Sequence, residues 1–282
     1  MHKLFLSVAV AVVGCFGYAQ ASSIKTGKVK SEILGVEKEY TVYLPDGYDN
    51  NGDTYYPVLY LLHGASDTHE AWKNKGRVQA IADQEIRAGF ALPMIIVMPD
   101  ARGEGPNNVG KNLGYFNQQD WAYEDHFFKE FIPYIEEAYR ICKDRGSRAV
   151  AGLSMGGGGS TVYAMRYPDV FGSACPMSGV VGAFEGLGGS LSELWKQAAA
   201  NAPVGILDNA TEEELKAIKA VRWYIDCGDD DFLFDGNIEL VQKMRRKGVP
   251  FQFRVRDGGH TWEYWQSGLH EILKFISIGF AK

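Results

Sequence analysis

A short apolar run that breaks on Gly-x-Ser-x-Gly is what most narrows the folds open to this chain. Residues 148–153 read Arg-Ala-Val-Ala-Gly-Leu, Ser154 follows, and Met155 and four glycines lead into a helix-compatible stretch ending near Tyr167. A strand that turns at once into a helix holds its turn residue in a strained backbone conformation. Glycines at 152 and 156 remove the side chains that would clash there. Ser154 Oγ then stands above a sheet edge. The Met155 N–H and the helix N-terminus face the same space, an arrangement that stabilises an oxyanion. A glycine-rich turn with no chemistry has the same five-residue pattern, so partners elsewhere in the chain must decide between the two.

The rest of the chain supplies a setting for such a turn. Lys28 to Leu34 and Glu39 to Leu44 alternate polar and apolar residues, as an antiparallel pair at a sheet edge does. Tyr56 to Leu62, Met94 to Met98, Phe171 to Met177, Val221 to Ile225 and Pro250 to Val255 read as further strands. Helical spacing separates them at Trp72 to Ala88, Glu124 to Tyr139 and Gly236 to Lys247, and Thr261 to Phe280 closes the chain. Strands alternating with helices predict an α/β fold with a mostly parallel central sheet and helices on both faces. With 282 residues, 46% hydrophobic, one such domain has ample core. A net charge of −6 with acids and bases interspersed, and no basic stripe, argues against nucleic acid as a partner. Ala101 to Trp121 and Val180 to Ala220 break the rhythm, and both are expected over the carboxyl edge of the sheet, where such folds bind ligands.

The N-terminus reads as a leader. Met1-His2-Lys3 is basic, Leu4 to Gly17 is apolar but short for a membrane span, and Ala19-Gln20-Ala21 offers a small-x-small cleavage site. The expectation is a signal peptide over 1–21 and a single domain over 22–282, secreted or periplasmic. Val12-Val13-Gly14-Cys15 resembles a lipoprotein box, so anchoring through Cys15 is the alternative. Cys142, Cys175 and Cys227, an odd number at wide spacing, do not describe a disulfide framework. No Cys/His spacing resembles a metal site.

A serine nucleophile needs a base, and the base needs an orienting acid. On this fold the chain order is serine, acid, histidine. After Ser154 only His260 and His270 remain. His260 lies in a glycine loop after the final strand, whereas His270 falls inside the last helix, so His260 is the candidate base. The acid should follow the penultimate strand, where Asp226, Asp229, Asp230, Asp231 and Asp235 crowd together. Asp226 falls within the strand itself. Asp231 is favoured because Phe232-Leu233 would anchor its loop in the core, with Asp230 next. His63-Gly64-Ala65 follows an early strand, which makes the Ala65 N–H a candidate second oxyanion donor and His63 an orienting residue for that loop.

Leu61-Leu62-His63-Gly64, Gly152-Leu-Ser-Met-Gly-Gly157, Cys227-Gly228-x-x-Asp231 and Gly258-Gly-His-x-Trp262 together resemble the esterase D group of α/β-hydrolases. They are most similar to the feruloyl and acetyl xylan esterases of carbohydrate esterase family 1, as is Phe131-Ile-Pro-Tyr-Ile-Glu136. The resemblance runs from about Lys28 to the C-terminus. It implies a nucleophile at Ser154, an acid at Asp231, a base at His260 and oxyanion donors at Ala65 and Met155, with no metal or organic cofactor. The activity it implies is a secreted serine esterase acting on feruloyl esters of arabinoxylan, with acetyl xylan esterase as the alternative. S-formylglutathione hydrolase, an acyltransferase and a non-catalytic glycan-binding protein stand further off. Residues 180–220 carry no motif of that family. A flat feruloyl ring favours aromatic walls. Leu113 to Trp121, with Tyr115 and Trp121, and Val180 to Trp195 are expected to supply them.

Overall fold

The computed structural model describes residues 21–48, 52–105, 108–109, 111–118, 120–182, 196 and 198–280. Residues 1–20 of the leader therefore lie outside the described residues, as does most of the Val180 to Trp195 segment.

Eight strands form one sheet: β1 (Ser23–Ser31), β2 (Val36–Leu44), β3 (Val58–Leu62), β4 (Ile95–Pro99), β5 (Arg148–Leu153), β6 (Ser173–Met177), β7 (Arg222–Gly228) and β8 (Gln252–Arg256). Their order is β1-β2-β4-β3-β5-β6-β7-β8. β1 pairs antiparallel with β2, and β2 with β4, while every other pairing is parallel. β3, β4 and β6 are buried along their whole length, which is why they read as near-continuous apolar runs rather than alternating ones. The two faces of β3 enter different layers. Val58, Tyr60 and Leu62 join one core, and Leu59 and Leu61 join the other.

The first layer is covered by α2 (Tyr123–His126), a π turn (Phe127–Phe131) and α3 (Ile132–Ala138), then by α4 (Met155–Arg166), α5 (Pro203–Asn209), α6 (Glu212–Ala220) and α7 (Phe234–Arg246). The second is covered by α1 (Val78–Arg87) and α8 (Trp262–Phe280). α6 begins with a full capping box between Thr211 and Glu214. Among the described residues no helix is long and apolar enough to cross a membrane.

Two expected helices are interrupted. The Trp72 to Ala88 stretch divides into Ala71–Asn74 and α1 because Arg77 takes a left-handed backbone at φ 52°, which a helix interior does not accommodate. The Glu124 to Tyr139 stretch carries the π turn just before Pro133, which has no N–H to complete a regular turn.

Candidate active site

β5 delivers Ser154 to the carboxyl edge of the sheet at φ 53° and ψ −116°, the strained turn that the sequence pattern demands. Positions 152 and 156 admit only glycine. A Cβ on Gly152 would lie 2.5 Å from the Gly156 carbonyl oxygen, and one on Gly156 would lie 2.6 Å from that of Leu62. The elbow helix α4 can therefore press directly on the backbone of the neighbouring strand.

His260 arrives on the loop after β8. Its Nε2 is 2.9 Å from Ser154 Oγ, and its Nδ1 is 2.9 Å and 3.1 Å from the two carboxylate oxygens of Asp231. With Nδ1–H donating to Asp231, Nε2 is left as the acceptor for the Ser154 hydroxyl. Asp231 is buried, whereas Asp229 and Asp230 beside it are exposed. Burial pushes the Asp231 carboxyl up. Hydrogen bonds from His260, from the Leu233 N–H (2.8 Å) and from Ser178 outweigh that and hold it below the usual carboxylate range. Leu233 is fully buried and anchors the loop as expected, but Phe232 is not part of that anchor: it is 55% exposed.

Backbone bonds carry the sheet's ladder past its strand ends. Ser154 N–H donates to Met177 O at 3.0 Å, Ser178 N–H to Asp226 O at 2.8 Å, and Asp230 N–H to Gly258 O at 3.1 Å. The loops bearing Ser154, Asp231 and His260 are tied together in this way. Asp226 is occupied by Arg256 (2.8 Å) and by the Tyr264 hydroxyl, and His270 pairs with Glu85 at 2.7 Å. Neither reaches Ser154.

His63 sits beneath the opposite wall. Its Nε2 accepts the Ala101 N–H at 2.9 Å, and its Nδ1 donates to the Gly64 carbonyl at 2.8 Å. Burial lowers its pKa, so it stays neutral and orients the 63–67 turn. A Cβ on Gly64 would lie 3.6 Å from Ser154 Cβ, which sets the turn against Ser154 and brings Ala65 into the cleft wall. Met155 is the first residue of α4, so its N–H has no acceptor in a preceding turn.

The cleft over Ser154 holds about 330 Å³. Its aromatic walls are Phe232, Trp262 and Trp265. The Phe232 and Trp265 rings lie 4.6 Å and 4.8 Å from the His260 ring. Tyr115 and Trp121, expected as walls, do not line it. Tyr115 is fully buried beneath the turn. Its hydroxyl donates to His63 O at 3.0 Å, and its ring packs edge-on to Tyr123 and Tyr163. Trp121 is 3% exposed, with the Lys38 ammonium 5.6 Å over its ring. Both rings stabilise the irregular loop from below. Of the second expected segment Val180 does line the cleft, and residues 183–195 lie outside the described residues.

The sequence reading missed Ser178, Trp262 and Trp265. Ser178 is buried at φ 45°, and its Oγ takes the Trp265 Nε1–H at 3.1 Å while serving Asp231. Its only sequence signal is a serine at the end of a buried strand. Trp262 was visible in its motif but had no role attached. Cys142, Cys175 and Cys227 are free thiols, and burial pushes all three up. Asp229, Asp230 and Asp257 converge closely enough to share a cation but are all exposed.

The chain is similar in sequence and fold to known esterases. The Esterase family, described as "Putative esterase", matches residues 31–276. A solved ferulic acid esterase is 43% identical with a TM-score of 0.86, covering 93% of this chain and 99% of its own. An endo-1,4-beta-xylanase/feruloyl esterase of Xylanibacter ruminicola is 28% identical over 92% of this chain, which spans 32% of that protein's length. An S-formylglutathione hydrolase of Staphylococcus aureus, 23% identical over 92% of this chain and 100% of its own with a TM-score of 0.73, shares the fold.

Proposed function

The chain belongs to the Esterase family and is a carboxylic ester hydrolase of the α/β-hydrolase fold, and from that premise we propose that it is a carbohydrate esterase family 1 feruloyl esterase. Its substrate in this reading is a hydroxycinnamoyl ester on arabinoxylan. One observation carries the reading: the hydrogen-bonded series Ser154–His260–Asp231 opens into a cleft walled by Phe232, Trp262 and Trp265. A planar aryl acyl group gains from such walls, and an acetyl group is too small to reach them all.

Ser154 Oγ attacks the ester carbonyl while His260 Nε2 takes its proton. Asp231 holds the imidazole and stabilises the imidazolium. The N–H groups of Ala65 and Met155 hold the oxyanion of the tetrahedral intermediate. His260 then gives the proton to the sugar oxygen as the carbon–oxygen bond breaks, leaving acyl-Ser154. Water, deprotonated by His260, cleaves the acyl-enzyme and releases ferulate and free serine.

The similarity to the solved ferulic acid esterase and to the Xylanibacter protein supports the aryl reading over acetyl xylan esterase. The likeness to S-formylglutathione hydrolase, at 23% identity, concerns the fold alone. Export by cleavage near Ser22, or lipidation of Cys15, belongs to the same proposal and rests on the leader pattern. The deciding experiment compares kcat/KM on methyl ferulate with release of acetate from acetylated xylan. Faster acetate release replaces this reading with the acetyl esterase.

A further inference from the structure

A second groove, of about 640 Å³, is built from tyrosines on the α3 side of the sheet. Tyr55 and Tyr134 stand on its surface, 60% and 41% exposed. Tyr40 forms part of its floor, with its hydroxyl 3.1 Å from that of Tyr139. Tyr40 also packs edge-on to Tyr134, so the exposed ring is braced by a buried one. Tyr48 completes the lining, with the Arg140 guanidinium stacked 4.5 Å over its ring.

The position excludes a share in the ester chemistry. Tyr56, next to Tyr55, bridges Ile141 just before β3 and β5 begin, whereas Ser154 follows the other end of β5. Five residues of parallel strand separate the two edges by about 17 Å. This groove is therefore a separate surface.

Its chemistry selects among ligands. A site for phosphate or another strong anion concentrates cations, but here the charges are mixed. Glu136 is spent on Arg148, and Arg140 is held on Tyr48 and on the Gly52 carbonyl. That leaves Lys25, Lys143 and Glu137 around the rings, with donors and acceptors and little net field. Tyrosine offers an apolar ring face and a polar tip together. A pyranose has the matching pair of surfaces, an axial C–H face and a rim of hydroxyls. An open groove, rather than a closed cavity, admits an internal segment of a chain.

We propose that the Tyr55–Tyr134 groove binds a pyranose segment of a neutral polysaccharide and holds the polymer on the enzyme while the cleft acts on esters elsewhere along it. The use of arabinoxylan as the probe rests on the function proposed above; the groove's ring chemistry does not.

The test separates binding from turnover. Ser154→Ala protein is run in native gels containing soluble arabinoxylan, with and without Tyr55→Ala and Tyr134→Ala. Retardation of Ser154→Ala should weaken about fivefold in the triple variant, in line with the loss of two exposed aromatic anchors. Tyr55→Phe with Tyr134→Phe, which keeps the rings, should retain most of it. In the active background the two alanine changes should raise KM on the polymer about fivefold and leave kcat/KM on methyl ferulate unchanged. Equal retardation of all variants, or none in any, overturns the groove. A parallel loss on methyl ferulate also overturns it, because the effect would then be structural. If methyl ferulate is not a substrate while the retardation difference persists, the ester assignment fails and the groove stands.

Discussion

On the feruloyl esterase reading proposed above, replacing Phe232 with alanine separates the acyl wall from the chemistry. The ring is 55% exposed and lies 4.6 Å from the His260 ring, at the cleft rather than in the core. An aromatic side chain offers roughly 200 Å² in all, so about 110 Å² of this one remains for substrate to cover. A bound feruloyl ring that covers half of that removes about 55 Å² from water. At about 25 cal/mol per Å² this is ~1.4 kcal/mol, or about tenfold in kcat/KM. An acetyl group leaves most of the ring uncovered, so its esters should lose about twofold or less. The assay is kcat/KM for methyl ferulate and p-nitrophenyl acetate on both proteins, with thermal midpoints alongside. Equal losses on both substrates would mean that Phe232 serves the His260 loop, and no loss on ferulate would mean that the aryl group binds elsewhere. Either result refutes the argument.

Three further expectations follow from the same geometry. Ser154→Ala or His260→Ala should lower kcat by about 10⁶-fold and Asp231→Asn by about 10⁴-fold, on the scale known for subtilisin, while exposed Asp230→Asn does far less; the reverse order for the two aspartates, read by steady-state kinetics, would move the acid by one residue. Tyr115→Phe removes the hydroxyl that holds His63 O and should cost about 1 kcal/mol of stability in denaturant melts while leaving the ferulate-to-acetate ratio unchanged, whereas a selective loss on ferulate would return Tyr115 to the substrate wall. Acid should destabilise the protein in two windows. Burial depresses His63 and His126 below 6.5 in the folded state, so the stability they confer is complete above about 6.5 and is lost as pH falls through their folded values. Asp231 and Asp100 are held below 3.8, so theirs is lost only as pH falls below that; a thermal midpoint flat from pH 7 to pH 5 would contradict the histidine window.

The sheet and the candidate triad were legible because each announces itself locally. β3, β4 and β6 are buried on both faces and read as apolar runs, and Gly152 and Gly156 are fixed by backbone contacts that only glycine permits. From spacing alone Asp231 is separable from Asp230 only through its neighbours Phe232 and Leu233, of which Leu233 alone is buried; the resemblance through Cys227-Gly228-x-x-Asp231 adds the rest. The walls were misread for a different reason. Tyr115 and Trp121 lie in an aperiodic loop, and nothing in such a stretch says whether an aromatic ring points down into the core or out into the cleft. The rings that do face the cleft, Trp262 and Trp265, begin a strongly amphipathic helix, where they pass for ordinary core residues. Ser178 acts through Asp231 across a strand boundary, a relation that no spacing in one dimension expresses.

The bonds that extend the ladder past β5, β6 and β7 have a dynamic consequence. A backbone displacement that carries Ser154 away from His260 must also break hydrogen bonds continuous with the centre of the sheet, such as Ser154 N–H to Met177 O. The backbone that carries Ser154 therefore opens within the same cooperative unit as the core strands. Phe232 lies outside that ladder and, although 55% exposed, is held by side-chain packing that includes the His260 ring. The backbone of the candidate triad is thus fixed by the sheet's own ladder, and the ring beside it by side-chain contacts.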